Sequence, residues 1–203
     1  TMPTSHTVTF KVEDKKDALD SDFYVRLLRD ESKAIYGVAV EEWKRKGDTV
    51  VVPETFNYAG ETYPVVMVGY YSSLFTHDAS SVVNVVIPNS VESINTRAFA
   101  MCTNLAKVTI GTGLKTIEDM AFWHCTSLTD ITLPEGLTSI GSNAFSDCFA
   151  LKTLTIPSTV DSISTGAFAG CTGLTAVTLP RMFEDRVSTI FSNCGNISFT
   201  YVG

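Results

Sequence analysis

Positive charge is scarce in this sequence. Lys and Arg together number 15 against 22 Asp and Glu, so the formal net charge is −7 at pH 7. The densest basic run, Lys44–Lys46, follows Glu41 and Glu42 closely and is typical of a solvated turn. Binding to a nucleic-acid backbone requires clustered Lys and Arg. We therefore expect no nucleic-acid partner.

Long apolar runs are absent as well. No stretch approaches the ~20 consecutive apolar residues of a membrane-spanning helix, and no signal peptide is recognisable. We therefore expect no membrane-spanning segment in this chain. The chain opens with TMPTSHTVTF, in which Met2 follows Thr1, and this opening suggests a trimmed N-terminus. The lack of an export signal is therefore no argument for the cytosol.

Catalytic motifs are missing too. The sequence contains no G-x-S-x-G nucleophile elbow, no phosphate-binding loop and no dinucleotide fingerprint. Among its three histidines, His77–Asp78 is a lone adjacent pair, and His124–Cys125 comes nearest to a metal-ligand spacing. The acidic pairs Glu118–Asp119 and Glu184–Asp185 are adjacent residues and are typical of solvated turns. These absences predict a protein without catalytic residues, metal or cofactor, and therefore not an enzyme.

A 23-residue repeat dominates what is present. Cysteine and phenylalanine both return at this interval, and a fixed period of this length is typical of stacked supersecondary units. The cysteines are Cys102, Cys125, Cys148, Cys171 and Cys194, and the phenylalanines are Phe99, Phe122, Phe145, Phe168 and Phe191.

The unit that begins at Leu128 shows what each repeat is expected to form. The alternation at 131–133 predicts a short strand, ended by a proline, and residues 137–140 predict a second extended segment. Residues 143–147 suit one helical or 3₁₀ turn with its apolar side chains inward. One such coil cannot bury these side chains alone. The sequence therefore predicts a β-rich solenoid in which Phe packs on Phe and Cys on Cys.

The five cysteines are an odd number, which in a secreted protein suggests one unpaired thiol. The period changes this interpretation, because every Cys holds the same place in its repeat. Neighbouring strands are ~4.8 Å apart, but side chains stacked in parallel lack the crossed geometry of a disulfide. We expect five free thiols that are buried as small hydrophobic groups.

Residues 1–60 lack the repeat and are expected to form an N-terminal β-rich cap. A solenoid leaves the apolar face of its first coil open, so an atypical terminal unit should cover it. The segment FYVRLL also suits a short helix. The expected elements are a strand at 6–12, a hairpin of 23–29 with 34–40, and a second hairpin of 49–56 with 61–68.

The solenoid itself is expected to occupy residues 61–203. Its first coil should carry a bulge at Tyr70–Ser73, because the interval to the next repeat is three residues longer. In the last unit, Arg186 stands where the other units have isoleucine, and a charge at a core position suggests an exposed end. The predicted divisions are an irregular first coil at 61–81, regular repeats at 82–180 and a C-terminal cap at 181–203.

The repeats share the pattern L-x-x-[VI]-x-[IL]-P-x-x-[VL]-x-x-I-x-x-x-A-F-x-x-C. The unit from Leu105 departs where Gly111 replaces proline. The unit from Leu151 matches with leucine at the [VI] position, through Leu154, Ile156, Pro157, Val160, Ile163, Ala167, Phe168 and Cys171. This pattern resembles the BspA-like leucine-rich repeat family of bacterial surface proteins, closely over residues 82–197 and loosely over 49–81. The resemblance implies an exported protein of a host-associated bacterium, extracellular or at the cell surface. Some members are similar to adhesins, but the pattern residues are structural and transfer no binding role.

Solenoids of this kind usually bind through the exposed side chains of their strands. Two outward columns are expected, and they would offer a flat, hydroxyl-bearing surface to a protein or a glycan. Threonine also suits strands and pairs favourably across a sheet without any ligand. The first column is Val86, Thr109, Thr132, Thr155 and Thr178, and the second is Asn84, Lys107, Asp130, Thr153 and Ala176. The binding candidates among them are Thr109, Thr132, Thr155, Thr178, Lys107 and Asp130.

Three aromatic residues are further candidates. Trp123 stands in a column that is otherwise Ala or Ser. A lone large aromatic there is either a contact hot spot or cover for the loop surface. Tyr70 and Tyr71 belong to the irregular coil, and irregular loops often carry function.

The sequence favours a non-enzymatic binding or adhesion module displayed at a bacterial cell surface, with a protein or glycan as its partner. The alternative is a structural spacer or assembly domain of an exported protein with no ligand of its own. The two hypotheses differ in whether substitutions along the threonine column affect binding.

Overall fold

A computed structural model describes residues 23–43, 47–69, 74 and 79–203. The chain winds into a β-solenoid of about seven turns with a 23-residue spacing, as the repeat predicted. The strand expected at 6–12, the basic run at 44–46 and the bulge expected at 70–73 lie outside the described residues.

An N-terminal hairpin is formed by β1 (Phe23–Arg29) and β2 (Ile35–Trp43), which pair antiparallel. Its turn is organised by the Asp30 carboxylate, which accepts the backbone N–H groups of Ser32 (2.9 Å) and Ala34 (3.1 Å). Such Asx turns are favoured by aspartate. The hairpin prediction is confirmed, and the helical alternative is wrong. The middle of β2 is buried against the core of the solenoid.

The second predicted hairpin is only partly correct. β4 (Thr55–Tyr58) and β5 (Glu61–Val68) pair antiparallel as expected. β3 (Thr49–Val51) instead pairs in parallel with the first repeat strand, β6 (Asn84–Ile87), and β5 pairs in parallel with β2. The middle residue of β3 is fully buried, so packing on the first repeat decides its position. Residues 49–68 thus supply a solenoid coil as well as a hairpin.

Each coil of the solenoid contributes strands to two faces. The strand face carries β3, β6, β8 (Lys107–Ile110), β10 (Asp130–Ile131), β12 (Thr153–Thr155), β14 (Ala176–Pro180) and β15 (Ser198–Val202). The back face carries β5, β7 (Ser93–Ile94), β9 (Thr116–Ile117), β11 (Ser139–Ile140) and β13 (Ser162–Ile163).

The two faces differ in continuity. On the back face the strands join the N-terminal hairpin in one sheet, in the order β1-β2-β5-β7-β9-β11-β13, with β4 beside β5. On the strand face they form two sheets, β3-β6-β8-β10 and β12-β14-β15. All neighbouring repeat strands within these sheets are parallel.

A turn edge follows each back-face strand, and the predicted helical or 3₁₀ turn takes the form of successive single turns there. The Ser146 N–H donates to the Asn143 carbonyl (3.1 Å), while the Phe145 N–H donates across to Ala167 of the next coil (2.7 Å). Asn143 (φ 52°) and Asp147 (φ 62°) are left-handed, which redirects the chain twice. Hydrogen bonds between coils therefore hold this edge. The equivalent left-handed residues elsewhere are Arg97, Met101, Met120, His124, Gly166, Gly170 and Asn193.

The repeat phenylalanines form a stack along the solenoid axis. From Phe99 to Phe191, successive ring centroids are 5.0, 5.0, 5.1 and 5.2 Å apart, with interplanar angles of 14° or less. The rings lie among buried Leu, Ile and Val side chains in one continuous core. The predicted stacking of Phe on Phe is confirmed.

The repeat cysteines are free thiols, as predicted, and all but the half-buried Cys194 are fully buried. Four of the thiols, from Cys125 to Cys194, donate to a phenylalanine carbonyl of the preceding coil. The Cys125 Sγ lies 3.2 Å from the Phe99 oxygen, and the same contact recurs in the next three coils. Burial raises the pKa of Cys102 and Cys148 to about 12. These thiols therefore stay protonated and unreactive at neutral pH.

The C-terminal end departs from the repeat. A 3₁₀ helix (Arg181–Arg186) and α1 (Val187–Ile190) replace the back-face strand, with Phe183 buried beneath them. The Arg186 guanidinium donates to the Ile163 carbonyl (2.7 Å). In the preceding coils a backbone N–H fills this role, as Ser164 does for Ile140. Arg186 thus satisfies the last carbonyl of the back-face sheet.

Candidate functional site

The threonine column on the strand face lies in two separate ladders. Thr109 is exposed and is in register with Val86 in the first sheet. Thr155 and Thr178 are in register in the second sheet, where Thr200 of β15 extends the column. Thr200 was missed in the sequence because it follows Thr178 by 22 residues, one fewer than the period. Thr132 belongs to neither ladder.

The column is interrupted because the strand face parts between β10 and β12. Asp130 and Ile131 pair with Lys107 and Val108 of β8, and the pairing ends there. Across the described strands, β12 has a ladder partner on one side alone, β14. Two strand edges therefore face each other without joining. Nothing in the repeat pattern distinguishes this coil, so the sequence did not predict the parting.

A cleft of about 500 Å³ occupies the parting. It takes its walls from two successive coils. The lining residues are Thr129, Asp130, Ile131, Thr132, Leu133, Pro134 and Glu135 on one side and Thr153, Thr155 and Pro157 on the other. Three of the sequence-predicted candidates, Asp130, Thr132 and Thr155, are thus brought together, while Glu135 was not among them.

The cleft opens on the strand face alone. On the other side of the same coils, β11 stays paired with both β9 and β13. The Phe145 and Phe168 rings, one from each of the two coils, are still in contact at 5.1 Å. Because the core and back face hold the coils together, the parting is a wedge, narrow at the core and wide at the surface.

The chemistry of the cleft is apolar at its base and acidic at its rim. Leu133 and Pro134 are buried, and Ile131 is half-buried where its counterparts in the flanking coils are buried. Asp130 and Glu135 are exposed carboxylates, and no lining residue is basic. The cleft is therefore suited to a ligand with an apolar part and a positive or hydrogen-bonding head.

Lys107 lies outside the cleft but contacts its rim. Its Nζ is 3.4 Å from the Asp130 Oδ2, and both side chains are more than half exposed. An ion pair this exposed contributes little to stability, because solvent screens it. The contact partly neutralises one of the two carboxylates beside the cleft.

Trp123 lies on the turn edge, away from the threonine column. It is half-buried, its ring is 5.9 Å from that of His124, and His124 is 5.9 Å from the edge-on ring of Phe149. Phe149 is 42% exposed. Trp123 is thus one member of an aromatic cluster that bridges two coils. Phe149 likewise breaks its column, in which Thr103, Thr126 and Thr172 hold the same repeat position, but this column is not among the predicted candidates.

The remaining candidates lie elsewhere. Tyr70, Tyr71 and His77 fall outside the described residues. Within the described ranges, no group of three His, Cys, Asp or Glu side chains is placed to hold a metal ion. None of the helices in those ranges has the length and apolarity needed to cross a membrane.

The repeats match a known family in sequence. A family model for the BspA type leucine rich repeat region matches residues 71–198 in six copies. No curated protein is significantly similar to the chain in sequence.

Solved structures show the same architecture. The leucine rich repeat protein of T. pallidum (TpLRR) is 31% identical over 88% of this chain and 83% of its own, with a TM-score of 0.68. A leucine-rich repeat protein from Bacteroides ovatus is 29% identical over 89% of this chain, with a TM-score of 0.72, and this chain covers 46% of it. The pneumococcal vaccine antigen PcpA is 20% identical, with a TM-score of 0.58, and the match covers 78% of this chain and 48% of PcpA. At this identity the similarity shows a shared fold alone.

Proposed function

Because this chain belongs to the BspA-type leucine-rich repeat family, whose solenoids are generally non-enzymatic binding scaffolds, we propose that it is a binding module. It acts at the bacterial cell surface, contacts a protein or glycan through its strand face, and catalyses no reaction. Family membership supports the surface location and the adhesion role. The geometry of the chain itself supports a site on the strand face.

The cleft between β10 and β12 is the observation that carries this proposal. A solenoid strand face is normally a closed ladder, whereas here two edges are open beside exposed Asp130, Thr132 and Glu135. Open strand edges and convergent polar groups are costly unless solvated or used, so a retained opening favours a ligand site. The flanking exposed threonines extend the surface on which a large partner would rest.

The test is a binding screen against immobilised matrix proteins and a glycan array. The strand-face variant is Thr132→Lys with Thr155→Lys, which fills the cleft mouth with bulk and charge. The matched control is Thr165→Lys with Thr172→Lys, at two exposed threonines of the turn edge. We expect binding by the wild type and the control, and loss of at least tenfold in affinity in the strand-face variant.

Other outcomes would contradict the proposal in different ways. Binding that survives in the strand-face variant would move the site to the turn edge or the N-terminal region. Failure of a folded sample to bind any member of the panel would favour the alternative, a structural spacer or assembly domain with no ligand of its own.

A further inference from the structure

Hydrogen bonding shows which main-chain groups of β12 form the open edge beside the cleft. The Ile156 N–H, directly after β12, donates to the Thr178 carbonyl of β14 (2.8 Å). Successive peptide groups of a strand point to opposite sides, so the main-chain groups of Thr153 and Thr155 point away from β14 and into the cleft. Open edges of this kind accept an extended chain by strand addition.

The opposite wall adds side-chain selectivity. Ile131, Leu133 and the two prolines give an apolar base. The Asp130 and Glu135 carboxylates stand at the rim without a basic residue in the lining. A cleft with an apolar base and an anionic rim is complementary to a lysine or arginine side chain, which has an alkyl stem and a cationic head.

Glycans and acidic ligands fit the cleft less well. No aromatic side chain is among the lining residues to stack on a sugar ring, and two rim carboxylates repel anions. The net charge of −7 also favours approach of a basic partner.

We propose that the cleft binds an extended, basic protein segment, whose main chain pairs with the open edge of β12 while one Arg or Lys side chain enters between Asp130 and Glu135. This inference rests on the proposed binding function and assigns that function a partner class. The Lys107–Asp130 contact gives way to the incoming cation, which an exposed ion pair permits at little cost.

The probe is a fluorescent ten-residue peptide of alternating Ser and Val with one central Arg, measured by anisotropy. Matched peptides carry citrulline or Glu in place of Arg. We expect the Arg peptide to bind about tenfold more tightly than the citrulline peptide, since a charge-assisted hydrogen bond is lost. The Glu peptide should not bind. A version N-methylated at the two residues flanking Arg tests the main-chain pairing and should also lose binding.

Protein variants locate the effect. Asp130→Asn with Glu135→Gln should remove the preference for Arg over citrulline. The matched control Asp161→Asn with Glu92→Gln changes the same net charge at exposed acids outside the cleft and should keep the preference. Equal binding of the Arg and citrulline peptides, or equal effects of the two variants, would overturn the inference.

The inference and the proposed function can fail separately. Strand-face-dependent binding of a glycan or an acidic protein in the screen, without Arg selectivity, would overturn the basic-segment inference and leave the binding function standing. If folded protein binds nothing in the screen and no peptide in the titration, the proposed function and the basic-segment inference are both overturned.

Discussion

At the scale of single residues, each repeat position has one physical task. The phenylalanines fill the core along the solenoid axis. The cysteines donate a weak hydrogen bond to a carbonyl of the preceding coil. The left-handed residues direct backbone N–H groups toward the next coil. The Phe and Cys columns could be predicted from periodicity alone. The left-handed positions could not, because non-glycine residues occupy most of them.

Phe145→Ala should lower the free energy of unfolding by about 3–5 kcal/mol, because it leaves a cavity between two stacked rings. Trp123→Ala, at a half-buried surface position, should cost much less. Urea denaturation of the two variants and the wild type provides the measurement. Equal losses would show that Trp123 is as deeply packed as the axial rings.

Gly170→Ala should destabilise the protein by about 1–2 kcal/mol. Gly170 has φ +69°, and an added Cβ would lie 2.3 Å from the Asp147 Oδ1. Gly195→Ala is the control, since its φ is not positive and the nearest atom to its Cβ would be 3.7 Å away. Thermal midpoints should fall for the first variant and stay near the wild type for the second.

The buried thiols make stability depend on alkaline pH. The pKa of Cys102 and Cys148 is raised by burial to about 12, while a thiol in the unfolded chain ionises near its ordinary value of about 8.5. Between these values the folded state binds more protons than the unfolded state, so stability falls as pH rises. The slope should approach about 1.4 kcal/mol per pH unit for each thiol.

A Cys102→Ala and Cys148→Ala double variant isolates this contribution from other alkaline titrations. Its urea midpoint should fall less steeply than that of the wild type between about pH 8 and pH 10. Parallel slopes would mean that these thiols ionise in the folded protein as readily as in the unfolded chain.

At the scale of elements, the repeat pattern predicts which segments are strands but not which edges pair. Residues 131–133 have the same alternation as the strands on either side, yet pairing ends at Ile131. Similarly, Thr49–Val51 lies outside the 23-residue period and still joins the first repeat sheet. Both outcomes depend on how neighbouring coils meet, which is a tertiary property. The sequence therefore identifies candidate binding residues, but it does not predict the cleft that brings three of them together.

The parting predicts uneven hydrogen exchange across the strand face. The amides of Thr153 and Thr155 face the cleft and should exchange at least tenfold faster than those of β14, which is paired on both sides. Native-state exchange followed by NMR would resolve these amides. Equal protection in β12 and β14 would mean that the strand face is closed in solution.

At the scale of the whole molecule, stability is additive along the rod, because each coil contacts its neighbours. Deleting residues 130–152 removes one 23-residue period and brings β8 next to β12 in register. We expect this shortened protein to remain folded by circular dichroism and to lose the cleft. Deleting residues 130–141 removes about half a period together with β10 and β11, places turn-edge residues on the strand face, and should prevent folding. Folding of both deletions, or of neither, would contradict the repeat as the unit of stability.

The unbroken back-face sheet and the divided strand face give the rod unequal stiffness. Bending that stretches the strand face can widen the gap between β10 and β12 without breaking any ladder hydrogen bond, whereas bending the other way must stretch the β9-β11-β13 ladder. Among the described strands, the gap between β10 and β12 is therefore the place where the solenoid bends most easily. Mechanical tension on it would be concentrated at the cleft, so the width of that opening would report the load.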